Sequence, residues 1–212
     1  MNRAELKAMA KAQIKGKIGI LFLITLIVAL VPSLLNLIPV VGSIVALLLT
    51  PALSLSLIRV YLNVIKDVKP SAGDAFSGCD DFWAAFKVQF LVGLYTFLWS
   101  LLFYIPGIVK GISYSMSMYV LAENKGMSAT ECINRSKEMT NGHKMELFVL
   151  SLSFLGWAIL GAFTLGILYI WLIPYMNTTF AHAYNVLRGV PQVEAPVEAP
   201  DMSAFLNSVS AE

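Results

Sequence analysis

Charged residues are scarce in this sequence, and their scarcity excludes most classes of soluble protein. Aspartate, glutamate, lysine and arginine make up 13% of the 212 residues, against ~25% in typical soluble domains. Hydrophobic residues make up 58%, above the usual ~45–50%. A domain of this size cannot bury so much apolar surface and still present a charged exterior to water. The composition therefore excludes a disordered chain and a secreted disulfide scaffold, and it indicates a protein embedded in a lipid bilayer.

Residues that carry catalytic or metal chemistry are also few. The chain has two cysteines, Cys79 and Cys132, and two histidines, His143 and His182. It contains no C-x-x-C, H-E-x-x-H, G-x-S-x-G or phosphate-cradling glycine loop. Isolated cysteines and histidines make a poor metal site. We therefore predict free thiols, no enzymatic activity, no catalytic residue, no cofactor and no metal. The net charge of +2 is too small to predict a nucleic-acid partner.

Apolar segments follow one another in pairs along the chain. A helix needs ~20 residues, rising ~1.5 Å each, to cross a ~30 Å hydrocarbon core. Short turns at 39–42, 106–107 and 164–166 join the members of each pair. We therefore expect an all-α, polytopic transmembrane helical bundle at 18–188, with six spans arranged as three hairpins. The predicted spans are 18–38, 43–65, 83–105, 108–124, 147–163 and 167–187.

The basic residues predict how the hairpins are threaded. The three short turns contain no charged residue. Lysines and arginines occur before the first span, between the second and third, between the fourth and fifth, and after the sixth. Basic loops stay in the cytoplasm. Both termini are therefore expected on the cytoplasmic side, and the hairpin tips on the outer side.

The residues before the first span, 1–17, predict a basic interfacial helix. Arg3, Lys7, Lys11 and Lys15 recur every four residues and so form one broad face. Such a face is attracted to an anionic membrane surface, and each basic group contributes about 1 kcal/mol there. The alternative is a solvated helix that only sets the topology.

The residues after the last span, 189–212, have a different composition. Val-Glu-Ala-Pro occurs twice in succession, and proline at every fourth position blocks a stable helix. The segment is therefore predicted to be a disordered, acidic, proline-rich tail. Apolar residues at i, i+3, i+4 and i+7 within 202–209 predict a short amphipathic helix near its end.

The polar segment between the fourth and fifth spans contains a helix signal. Ser128 and Glu131 have the spacing of a capping box, in which each side chain bonds the other residue's backbone N–H. A helix to about Met139 is predicted, ended by Asn141 and Gly142.

Three ionisable residues within predicted spans are candidates for ligand binding. A charge at bilayer depth costs at least ~2.5 kcal/mol, so such residues need a reason to be there. Lys110, just past the second tip, either binds an anion or a carbonyl within the bundle or snorkels to the outer headgroups. For Arg59 the simpler interpretation is snorkelling to the inner surface. For His182 it is a helix–helix hydrogen bond.

Two stretches resemble a known family. One contains Trp99, Pro106 and Lys110, and the other runs from Glu131 to Trp157. With Arg3, Leu6 and Lys7, they resemble the bacterial integral-membrane family catalogued as domain of unknown function 975, over roughly residues 1–188. The resemblance implies a multi-pass protein of the bacterial cytoplasmic membrane, and it implies no activity.

Within the second stretch, Gly142 would allow a sharp turn into the fifth span. Lys144 would then lie at headgroup level and, like the N-terminal lysines, fix the topology.

Two functions are compatible with these features. The first is a non-enzymatic scaffold or regulator that acts through membrane lipids or through a protein partner. That partner would bind the C-terminal tail or the cytoplasmic loops. The alternative is a small transporter or permease component with a site near Lys110, Arg59 and His182. That alternative predicts one polar cavity linking the three side chains. The oligomeric state is not predicted.

Overall fold

The computed structural model describes residues 3–38, 40–102, 104–164 and 168–189, and this part of the chain is helical without strands. Two short 3₁₀ turns, Ala72–Phe76 and Cys79–Asp81, connect the third and fourth helices. The predicted tail lies outside the described residues. The α-helices of the described residues are α1 Arg3–Ile14, α2 Ile18–Leu35, α3 Val41–Ile65, α4 Phe82–Leu102, α5 Tyr104–Tyr114, α6 Ser117–Glu123, α7 Ala129–Thr140, α8 Lys144–Phe163 and α9 Tyr169–Leu187.

Among the residues that the structure describes, four segments are long and apolar enough to cross a membrane. They are Ile18–Leu35, Val41–Ile65, Ala72–Leu101 and Lys144–Gly161. Helix α9 has 19 residues, but it is not among the four and carries a polar stripe that includes Asn177 and His182. The predicted all-helical chain with several membrane-crossing candidates is confirmed. The six spans, the three hairpins and the cytoplasmic termini remain predictions.

The segment predicted as the fourth span, 108–124, is not one helix. The helix is interrupted at Ser115 and Met116, which separate α5 from α6. The predicted turn at Pro106 is also wrong, because α5 already begins at Tyr104. Proline is tolerated in the first turn of a helix, where backbone N–H groups have no partner within the helix. Its presence there therefore marks a helix start and not a loop.

Ser136 of α7 bonds the backbone groups at the junction between α5 and α6. Its hydroxyl donates to the Ser113 carbonyl at 2.8 Å and accepts from the Met116 backbone N–H at 3.2 Å. Both bonds are buried. An unpaired buried backbone group is costly, so a side chain from another helix takes the place of the missing helical bonds. Helix α7 is therefore packed against the junction of α5 and α6.

Ser136→Ala is expected to destabilise the protein by about 1–3 kcal/mol. The substitution leaves the Met116 N–H without an acceptor and the Ser113 carbonyl with one bond fewer. Thermal denaturation in detergent micelles measures the change. Ser151→Ala is the matched control, since the Ser151 hydroxyl only bonds the Leu147 carbonyl one turn earlier. Equal shifts for the two variants would show that Ser136 does not hold the junction.

The predicted capping box at the start of α7 is confirmed. The Ser128 backbone N–H donates to the Glu131 carboxylate at 2.9 Å, and the Glu131 N–H donates to the Ser128 hydroxyl at 3.3 Å. The hydrogen bonds from the Ser128 side chain and backbone lower the pKa of the Glu131 carboxyl, since they favour its charged form. The helix ends at Thr140. Gly142 then adopts a φ of +84°, in the left-handed region that favours glycine.

Helix α3 is the centre of the helical packing. It contacts α1, α2, α4, α6 and α9, and the half nearer its C-terminus is largely buried. Helix α1 is part of this packing, because Leu6, Met9, Ala10 and Ile14 are buried and the helix contacts α9 and α3. Apolar side chains on α4 and α8 are exposed instead, among them Phe97, Leu101 and Phe163. Contiguous exposed apolar surface of this kind is typical of a face that contacts lipid.

Candidate functional site

Three helices end at one carboxylate, that of Glu123. Lys66, the residue after α3, places its ammonium 2.7 Å from Oε1 of Glu123. Arg188, the residue after α9, binds Oε2, and the Tyr184 hydroxyl donates to the same oxygen at 3.0 Å. The Glu123 side chain is 9% exposed. We call these four residues the Glu123 cluster. Basic groups at helix C-termini also interact favourably with the helix dipole, so the cluster ties the ends of α3, α6 and α9 together.

Arg59 lies near this cluster and holds the connection between α3 and α4. Its guanidinium donates to the Ser77 carbonyl and to the Asp81 carboxylate. The neighbouring backbone N–H of Gly78 donates to the Ser56 hydroxyl at 2.8 Å. Arg59 is 9% exposed, so it is a buried, ion-paired residue and not one that extends into the headgroups. Its Nε–H is buried without a hydrogen-bond partner in the described structure.

A polar cavity of about 340 Å³ joins Arg59 to the Glu123 cluster. Its polar lining comes from Arg59, Asn63, Lys66, Glu123, Asn124 and Arg188. Each of the three cations in that lining already has a carboxylate partner, either Asp81 or Glu123. The arrangement therefore joins helix ends by charge pairing.

Lys110 lies in a second cavity, of about 250 Å³, between α4, α5 and α7. Its ammonium is 4.7 Å from the centre of the Trp99 ring. The Lys137 ammonium of α7 is 5.6 Å from the centre of the Tyr114 ring. We call this the lysine–aromatic cavity. Its lining side chains are Tyr95, Trp99, Lys110, Tyr114, Thr130, Ile133, Asn134 and Lys137.

Two predictions from the sequence, the outer position of Lys110 and the cytoplasmic position of α7, are incompatible with each other in the structure. The charge pattern placed Lys110 near an outer tip and α7 on the cytoplasmic side, but both line the same cavity. The physical reason is that α5 has only 11 residues, about 16 Å at ~1.5 Å per residue, and α7 folds back against α4 and α5. Lys110 at the outer headgroups and a cytoplasmic α7 cannot both hold.

His182 and the N-terminal helix meet at a third place. His182 is buried and hydrogen-bonds Gln13 of α1, with 2.8 Å between Nε2 and Oε1. The Lys7 ammonium lies 4.6 Å from the centre of the Phe154 ring. Arg3 and Lys11 of α1, and Lys15 directly after it, are exposed.

The three candidate ligand residues are therefore not brought together. Arg59 lines the polar cavity, Lys110 lines the lysine–aromatic cavity, and His182 lines neither. Lys144 begins α8 and is half-buried, beside an apolar groove that includes Ile108 and Phe148.

Sequence reasoning missed several contributors to these sites, among them Glu123 and Lys137. A lone carboxylate at the end of a predicted span, with basic residues at the ends of two others, was the available signal for Glu123. No local sequence pattern indicated Lys137, because its contact with Tyr114 depends on how α7 folds back.

The two thiols differ in environment. Cys132 is buried in α7, and desolvation raises the pKa of its thiol to about 11, so it stays protonated at neutral pH. Cys79 is exposed. Among the described residues, no three His, Cys, Asp or Glu side chains are grouped as metal ligands would be.

The fold and these sites define a helical protein whose described residues include four helices long and apolar enough to cross a membrane. The chain belongs to the family described as "Protein of unknown function (DUF975)", whose model matches residues 1–113 and 104–190. The family resemblance noted in the sequence is thereby confirmed. No curated protein and no solved structure matches the chain.

Proposed function

We propose that the protein is a multi-pass protein of the bacterial cytoplasmic membrane, acting as a non-enzymatic scaffold or regulator through lipids or protein partners. The supporting observation is that exposed apolar side chains and paired charges occupy different parts of the fold. Long helices expose apolar side chains, while the buried charges of Arg59 and Glu123 are paired with Asp81 and Lys66. Charges that are already neutralised hold helices in place and leave little charge for acid–base chemistry.

The proposed topology has six spans with both termini inside, which keeps α7 on the cytoplasmic side and gives up the position of Lys110 at the outer headgroups. Helices α5 and α6 together run antiparallel to α4, and the Tyr95 and Tyr114 rings lie 6.1 Å apart across that pair. Helix α9 returns beside α8, where the Tyr169 hydroxyl bonds the Ala158 carbonyl at 2.7 Å. These contacts support second and third hairpins even though α5 and α6 are too short, and α9 is not apolar enough, to stand among the four candidates.

A protein partner is proposed to bind the C-terminal tail. Deleting 189–212 is expected to abolish capture of that partner in a crosslinking pull-down from membranes. Phe205→Ser together with Leu206→Ser is the sharper variant, since it keeps the tail length and removes only the predicted apolar face. Unchanged capture by both variants would contradict the role of the tail and leave the membrane assignment intact.

Transport is the second candidate, favoured by the polar cavity that Arg59 lines. An alternating pathway exposes its site to each side of the membrane in turn. Asn63→Cys in a Cys79→Ser chain places a thiol in that cavity. Labelling by an impermeant maleimide from both membrane sides would favour transport, whereas labelling from one side would favour the scaffold.

A further inference from the structure

We propose that the lysine–aromatic cavity binds a phosphate group, carried by an anionic lipid or by a free phosphate ester. This inference rests on the proposed function through membrane lipids. It specifies the chemistry of the ligand and the cavity that binds it. Helices α4, α5 and α7 build the site, and none of its lining residues belongs to the Glu123 cluster.

The charge of the cavity is positive and is not neutralised from within. Two ammonium groups, those of Lys110 and Lys137, line it, and the described side chains of its lining include no carboxylate. The polar cavity near Arg59 differs in this respect, because its cations are paired with Asp81 and Glu123. An uncompensated pair of cations in one concave site attracts an anion.

The aromatic rings hold the two lysines and leave their donors available. Each ammonium rests on a ring face, that of Trp99 or Tyr114, at cation–π distance. An ammonium has three N–H donors and no acceptor. A ring face satisfies it on one side only, so the remaining donors can turn toward an anion with several oxygens. Phosphate forms short, charge-assisted hydrogen bonds with such groups.

Neutral polar groups complete the lining. The Thr130 hydroxyl, the Asn134 amide and the Tyr95 hydroxyl belong to the same cavity as the two lysines. The Lys137 ammonium already donates to Asn134 Oδ1 at 3.3 Å, which leaves the Asn134 NH₂ group as a further donor. Hydroxyl and amide donors alongside lysine are the usual partners of phosphate oxygens.

The surroundings of the cavity fit a lipid as the carrier of the phosphate. Tryptophan and tyrosine are enriched at headgroup level in membrane proteins, and three such rings line this cavity. Leu98 and Val109, which adjoin Trp99 and Lys110 in the chain, are exposed. A lipid phosphate held by the lysines would have its acyl chains beside this apolar surface.

Amine-reactive footprinting of the unaltered full chain tests the proposal. The probes are nanodiscs of phosphatidylcholine with and without phosphatidylglycerol, and inorganic phosphate added to the protein in detergent. Modification of Lys110 and Lys137 is expected to slow about tenfold when the ligand is at about ten times its Kd. Lys69 and Lys125, exposed lysines outside this cavity, are the internal controls and are expected to change less than about twofold.

The outcomes distinguish the source of the phosphate. Protection by phosphatidylglycerol alone identifies a lipid, and protection by inorganic phosphate as well identifies a free phosphate ester. Modification rates of Lys110 and Lys137 that are the same with and without each ligand would overturn the proposal. Equal protection of all four lysines would also overturn it, because that result reflects general attraction to an anionic surface.

Paired variants provide a second measurement. In native mass spectrometry from phosphatidylglycerol nanodiscs, Lys110→Gln with Lys137→Gln is expected to retain about tenfold less bound lipid than Lys69→Gln with Lys125→Gln. Both doubles lose two positive charges, so only the location differs. Lys110→Arg with Lys137→Arg is expected to restore retention. If the two glutamine doubles retain lipid equally, while tail-dependent capture persists, the phosphate site is wrong and the scaffold role stands.

Discussion

Glu123→Gln is expected to destabilise the protein by about 2 kcal/mol, among the largest effects of any single charge removal. Removing one partner of a fully buried ion pair costs roughly 3–5 kcal/mol, whereas exposed pairs contribute about 0.2–1 kcal/mol. The Glu123 cluster lies between these limits, because the carboxylate is 9% exposed while the Lys66 and Arg188 side chains are 49% and 34% exposed. Denaturation in detergent micelles measures the change.

A matched control for this variant lies on α7. Glu138→Gln also removes one carboxylate from an ion pair, but the Arg135–Glu138 pair is 3.6 Å apart, with side chains 60% and 68% exposed. Its expected effect is within about 0.5 kcal/mol. A double-mutant cycle with Arg188→Met should show strong coupling to Glu123→Gln. Additive effects would mean that Glu123 does not join α6 to α9.

Gly78→Ala is expected to destabilise the protein by about 3 kcal/mol, at the upper end of overpacking effects. A Cβ at this position would lie 2.2 Å from the Ala52 carbonyl oxygen and 2.7 Å from the Ser56 backbone N. Both are backbone atoms of α3 and cannot rotate away. The connection would have to move off α3, which would break the Gly78–Ser56 hydrogen bond and the adjacent bond from Arg59 to the Ser77 carbonyl.

Gly73→Ala is the control in the same connection. The nearest atom to its added Cβ is the Ser71 hydroxyl at 3.9 Å, an ordinary contact. The variant is expected to be neutral or to stabilise by up to about 1 kcal/mol through the unfolded state. If Gly73→Ala and Gly78→Ala have the same effect, the close approach of the connection to α3 is not important for stability.

Features set by neighbouring residues could be predicted from the sequence. The helical character follows from long apolar runs, and the start of α7 follows from the capping box of Ser128 and Glu131, which acts over three residues. The interruption between α5 and α6 could not be predicted in this way. It depends on Ser136, which approaches Ser113 and Met116 only after α7 has folded back.

The candidate sites were harder to predict for the same reason. Lys66 and Glu123 are 57 positions apart in the chain, and Glu123 and Arg188 are 65 apart, so no local pattern joins them. Arg59 was singled out because a charge in an apolar helix is costly, but the preferred interpretation, snorkelling to the inner surface, is wrong because its guanidinium is paired with Asp81. Its partner Asp81 belongs to a connection whose packing on α3 depends on Gly78. Lys110 was identified by the same argument, and its neighbours on α7 were not.

In the proposed topology, the connection between α3 and α4 faces the cytoplasm and the tip between α2 and α3 faces outward. The native thiols test it with little alteration. Cys79 lies exposed in that connection, while Cys132 is buried with a raised thiol pKa and is expected to stay unlabelled. The measurement compares labelling by a membrane-impermeant maleimide in spheroplasts and in inside-out vesicles.

The proposed topology predicts that Cys79 is labelled in inside-out vesicles and not in spheroplasts. A Val41→Cys, Cys79→Ser chain should show the opposite, since Val41 is 64% exposed at the start of α3. Labelling of Cys79 in spheroplasts would contradict the orientation. Labelling of positions 41 and 79 from the same side would contradict the more basic statement that α3 crosses the membrane.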